Sequence, residues 1–131
     1  MPSSFRTELI TRFDDGQFVV VEPFEFESCV SESIIRVPVG MRTDFASIPW
    51  GMRNAISPTG RHGKAAVVHD MLYQTGRVGE RRIDRAEADA VLDEGMAVLD
   101  VGRLTRWAIY AGIRIGGWVA WRNYRRQDPP R

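Results

Sequence analysis

The apolar positions of this chain change period partway along, and the two halves predict different structure. From Phe5 to about Val39 the runs "FRTELITRF" and "QFVVVEPFEFES" alternate or cluster β-formers around the turn signal Asp14-Asp15-Gly16, which predicts a hairpin. A third short run, "SIIRVPV", ends at Gly40. In the next stretch, "MRTDFASIPWGMRNAISPTGRHG", Pro49, Gly51, Pro58, Gly60 and Gly63 interrupt any regular element, which predicts a long ordered loop. Structureless loops of that length inside compact domains are uncommon and often carry function.

Beyond the loop the apolar spacing becomes helical. A first helix is expected from Arg61 or Gly63 to Gln74, closed by Gly76 and Gly79. Asp84 is a candidate N-cap for a second, "RAEADAVLDEGMAVL", in which Ala88, Val91, Leu92, Met96 and Leu99 recur at helical spacing. Gly102 separates a third, "RLTRWAIYAGIRIGGWVAWRNYRR", which the prolines of "DPPR" stop. The short link between the first two helices makes them an antiparallel pair. The expected class is therefore α+β: a small N-terminal antiparallel β-sheet, a long ordered loop, then three α-helices. At 131 residues and 44% hydrophobic content one domain is expected, with strands over 1–40, the motif loop over 41–60, a helical part over 61–126 and a tail over 127–131.

Composition narrows the function classes. With 18 basic against 17 acidic residues the chain is not built to coat nucleic acid by bulk electrostatics, and no nucleic-acid partner is expected. A lone Cys29 makes no internal disulfide, which fits a reducing compartment. "MPSSFRTELI" has no apolar stretch resembling a signal peptide. The last helix is distinctive in carrying six arginines and no acidic residue between Arg103 and Arg126, interleaved with Trp107, Tyr110, Trp118, Trp121 and Tyr124. Such a segment suits a lipid interface, yet its longest uncharged run, Ile115 to Trp121, falls far short of the roughly 20 residues of a span. The simpler reading is a helix that closes the core, with Gly112, Gly116 and Gly117 permitting close packing.

The chemistry gathers in "KAAVVHDMLYQTG". His69 and Tyr73 are four apart and share a helix face, while Asp70 points about 100° away. Ala65, Val68 and Leu72 mark an apolar stripe with His69 at its border. A half-buried imidazole oriented by a carboxylate is the arrangement of a general base, and Asp84 and Asp89 on the second helix are the available carboxylates. Asp70 could hold a hard cation with loop carbonyls. The competing reading is a buried polar network that pins the loop to the helix, with Asp44 as a turn or cap residue and Tyr73 as core with a tethered hydroxyl. Ser47 lacks a nucleophile-elbow context, and no P-loop, dinucleotide fingerprint or zinc spacing is present.

"GMRTDFASIPW" paired with "AAVVHDMLY", followed by "RAEAD" and a basic, aromatic C-terminal helix, resembles a small family of uncharacterised proteins encoded mostly by bacteriophages and prophages. The resemblance covers Gly40 to Gly117. It implies a protein made in the bacterial host cytoplasm and associated with a virion, whose partners are phage structural proteins or host membrane lipids. More distantly, "HDMLY", "TDFASIP" and "RRIDRAEADAVL" resemble the His-Asp-x-x-Tyr helix, calcium loop and second helix of secreted phospholipases that cleave the sn-2 ester. That resemblance implies that His69 activates a water, that Asp70 binds Ca²⁺ with Asp44 and a carbonyl near Phe45, and that Tyr73 braces the site. It implies Asp89 as the orienter of His69, with Asp84 the second choice. Two functions follow: a calcium-assisted lipid or ester hydrolase acting on the host envelope, or a non-catalytic tail, neck or baseplate part in which the His-Asp motif is structural.

Overall fold

Asp15 and Gly16 both take positive φ, 50° and 77°, as a two-residue hairpin loop requires. They join β2 (Thr11–Asp14) to β3 (Gln17–Val20) in antiparallel register from Thr11↔Val20 to Asp14↔Gln17. The computed structural model in which this is seen describes residues 3–43 and 63–128. Most of the expected motif loop, with Asp44, Phe45 and Ser47, lies outside the described residues.

The run "QFVVVEPFEFES" divides at Pro23, which cannot donate to a ladder. Its second half forms β4 (Phe24–Ser28), paired antiparallel with β5 (Ser33–Val37), while β1 (Ser4–Phe5) adds to the other edge of β4. A short β6 (Arg42–Thr43) lies against β3. The strands thus make two three-stranded antiparallel sheets, β1-β4-β5 and β2-β3-β6. Alternation sends Phe24, Phe26, Ile35 and Val37 into the core.

Helix α1 (Gly63–Thr75) is buried at every position from Ala65 to Tyr73. The apolar stripe read from the sequence is thus too narrow. The helix packs against the later helices Arg85–Val98 and Trp118–Arg126 and against β5 and β6, so no face is left for water, and the small residues Ala65, Ala66, Val67 and Val68 permit that close packing. Gly76, at φ +64°, ends it by returning its N–H to Leu72 O at 2.7 Å.

A small hairpin of β7 (Arg77–Val78) and β8 (Arg81–Arg82) leads into α2 (Arg85–Val98). Asp84 caps α2, its carboxylate accepting from Glu87 N at 2.8 Å. The final segment, expected as one helix, is two: α3 (Arg103–Gly116) and α4 (Trp118–Arg126). The junction is Gly117, where a Cβ would stand 2.6 Å from the Tyr73 hydroxyl and 2.6 Å from Ile113 O. The hydrogen-bond ladder nevertheless continues through it, from Gly117 N to Ile113 O and from Trp121 N to Gly117 O. Helix α3 buries Ile109 and Ile113, and Ala120, Trp121 and Tyr124 of α4 pack on the core. Among the described residues no helix is long and apolar enough to cross a membrane.

Candidate functional site

Helix α1 supplies His69, Asp70 and Tyr73, and the antiparallel α2 supplies Asp89; all four side chains are fully buried. Of the two aspartates considered for His69, Asp89 is the one in reach, with His69 Nε2 2.8 Å from its Oδ1. Asp84 is occupied as the α2 cap. The Tyr73 hydroxyl donates to the same Asp89 oxygen at 2.7 Å, and the imidazole and phenol rings lie 4.3 Å apart. The four-residue spacing of His69 and Tyr73 is what lets both reach one carboxylate.

The other Asp89 oxygen faces two guanidinium groups. Arg114 Nη1 donates at 2.8 Å and Arg85 Nη1 lies at 3.4 Å. Arg85 also donates to Ile113 O and Arg114 O, each at 3.1 Å, and so places a cation at the carbonyl end of α3, where the helix dipole favours one. Three helices thereby converge on one carboxylate.

Burial alone would push the Asp89 carboxyl up. The hydrogen bonds from His69, Tyr73 and Arg114 outweigh burial and hold it below its ordinary value. Tyr73 moves the other way: burial, then its bond to the Asp89 carboxylate, pushes the phenol well above its ordinary value, so it remains a neutral donor. Since an ionised carboxylate only accepts, Nε2 of His69 is the donor in this bond, and in the neutral ring Nδ1 is then the acceptor. Nδ1 is buried with no hydrogen-bond partner among the described residues.

Asp70 faces elsewhere. Its Oδ2 accepts from Gln74 Nε2 at 3.1 Å, and Gln74 also donates to Arg42 O at 2.8 Å, which joins this face of α1 to β6. Asp44, its expected partner, lies outside the described residues. Among the described residues no group of three or more His, Cys, Asp or Glu side chains is placed to hold a metal ion. Asp70 by itself is far short of the roughly six to eight oxygens that Ca²⁺ takes, so the described residues alone do not form a calcium cage.

Arg85 and Arg114 were missed as members of this network. "GERRIDR" reads as a solvated helix entry, yet the Arg85 side chain is only 19% exposed. Its four-residue spacing to Asp89 was the available signal. For Arg114 the signal was a lone cation inside an apolar run. Arg125 was missed as well: its Nη2 donates to Tyr73 O and Gln74 O, both at 2.9 Å, closing the last turn of α1. Its guanidinium lies 4.5 Å from the Trp121 ring, and that ring meets Tyr73 edge-on at 5.2 Å.

A family model described as "Protein of unknown function (DUF1353)" matches residues 18–113. No curated protein and no solved structure matches the chain.

Proposed function

The chain belongs to the DUF1353 family, and we propose that it is a phage- or prophage-encoded ester hydrolase, acting on lipid esters of the host envelope, in which His69 is the general base. The observation that carries this reading is the His69 ring itself. One nitrogen is committed to Asp89 at 2.8 Å, while the other is a buried ring nitrogen with no partner among the described residues. A buried polar atom left unpaired costs about 1–3 kcal/mol, and a water or substrate hydroxyl at Nδ1 would remove that cost.

In this reading Nδ1 takes a proton from a water whose oxygen adds to the ester carbonyl and returns it to the alkoxide as the ester C–O bond breaks, while Nε2–H stays hydrogen-bonded to Asp89, whose charge stabilises the imidazolium. Arg114 and Arg85 keep Asp89 ionised, so it orients the ring without taking the proton. Tyr73 holds the carboxylate in place. Calcium would be held by Asp70 with Asp44 and would supply charge to polarise the ester carbonyl.

One observation favours a second reading. His69, Asp70, Tyr73 and Asp89 are all fully buried, and Asp89 has a donor on every side. That is how a structural clamp in a non-catalytic virion component, such as a tail or neck part, would be made. Hydrolysis of a mixed phospholipid and of a short-chain ester, with and without Ca²⁺, separates the two. The catalytic reading expects turnover that falls about 10²–10⁴-fold in His69→Ala, in protein shown by its melting curve to be folded at the assay temperature. It also expects calcium binding by calorimetry that Asp70→Asn loses. Wild-type protein that turns over neither ester in either buffer refutes it and leaves the clamp.

A further inference from the structure

Helices α3 and α4 present an outer face that the core does not use. Leu104 is 80% exposed, Trp107 68%, Ile115 78%, Trp118 48% and Val119 42%. The steps between them are three, eight, three and one, so they lie along a single helical stripe. Gly117 does not break its register, because its φ of −72° and ψ of −16° are helical and the ladder passes through it. Single exposed apolar residues are ordinary, but a continuous stripe with two tryptophans marks a contact surface.

Charge selects the occupant. Between Val101 and Gln127 the chain has six arginines and no acidic residue. Arg106, Arg114 and Arg125 are tied to Asp93, Asp89 and Asp128. Arg103, Arg122 and Arg126 are exposed, with no carboxylate partner among the described residues, and Arg122 lies 4.8 Å from the centre of the Trp118 ring. A symmetric second copy would bring these cations together with nothing to neutralise them. An anionic bilayer surface instead takes arginine at its headgroups, tryptophan at the interface and aliphatic side chains just below. We propose that the α3–α4 face docks on an anionic lipid surface, lying in the interface without crossing it.

This inference goes beyond the hydrolase reading and uses none of the His69 network. The test is sedimentation with vesicles of phosphatidylcholine, alone or mixed equally with phosphatidylglycerol, together with tryptophan emission. Wild type should pellet with the mixed vesicles, shift its emission to the blue, and bind at least about tenfold more weakly to phosphatidylcholine alone. The pair Leu104→Glu/Ile115→Glu should weaken binding more than about tenfold, and Arg122→Glu/Arg126→Glu, which leaves the apolar stripe intact, should do so through charge alone. The positions are exposed, so both variants should melt like wild type. Pelleting does not require turnover, so wild type that binds the mixed vesicles and hydrolyses neither ester overturns the hydrolase reading and leaves this one standing. Wild type that stays in the supernatant, variants that bind unchanged, or self-association in equilibrium sedimentation that Leu104→Glu/Ile115→Glu abolishes would each overturn the proposal.

Discussion

Replacing Asp89 with alanine removes the carboxylate on which His69, Tyr73, Arg114 and Arg85 converge. The four donors do not lose equally. The Arg114 side chain is 34% exposed and rehydrates in part. Arg85 retains its bonds to Ile113 O and Arg114 O. His69 Nε2 and the Tyr73 hydroxyl are wholly buried, and each stranded donor costs about 1–3 kcal/mol. The expected loss is therefore about 3–5 kcal/mol, the range found when one partner of a buried ion pair is removed. Against a typical domain stability of about 5–15 kcal/mol, the variant should fold but be marginal. Urea unfolding at pH 7 should show a lower midpoint with nearly unchanged slope. Acid provides an independent check. The folded-state carboxyl is held below its ordinary 3.8, so the unfolded chain takes up the proton first as pH falls. The stabilisation is complete above that value and is lost as pH drops from it towards the folded-state pKa. The gap between wild type and Asp89→Ala should thus narrow below about pH 3.8. A loss under about 1 kcal/mol at pH 7, or a gap that stays constant into acid, would refute the account of Asp89 as the electrostatic centre of the helices.

Two further perturbations test the packing around that centre. Gly117→Ala should destabilise by about 1–3 kcal/mol in the same urea assay despite alanine's better helix propensity, because the new Cβ meets the Tyr73 hydroxyl and Ile113 O; Tyr73→Phe in the same chain should recover part of the loss, and a more stable Gly117→Ala would contradict the geometry. Glu94 accepts from Ser28 Oγ at 2.6 Å, Cys29 N at 2.7 Å and Val30 N at 3.1 Å, so Glu94→Ala, which removes the acceptor, should speed amide exchange at Cys29 and Val30, while unchanged exchange there would show that the β4–β5 turn is held by other means.

Elements were legible wherever a local signal dominates. Asp15-Gly16 has the turn chemistry of a hairpin and forms one. Asp84 is a capping residue before a periodic run and caps α2. Gly76 is a left-handed stop and ends α1. Extent was less legible where the neighbour of a residue is distant in sequence. The split of the last helix lies at Gly117, against the hydroxyl of Tyr73, forty-four positions earlier in the sequence.

What the sequence by itself determined was the α+β order of elements, the antiparallel pairing of the helices that carry His69 and Asp89, and the shared face of His69 and Tyr73, because each follows from backbone periodicity and loop length. Only the tertiary structure decided that α1 is enclosed on every side, that Asp89 and not Asp84 meets His69, and that Arg114 reaches that carboxylate from a third helix beside Arg85 of α2. Those outcomes depend on where α3 and α4 pack, and interhelical packing is set by the summed fit of many side chains far apart in sequence, which no local pattern records.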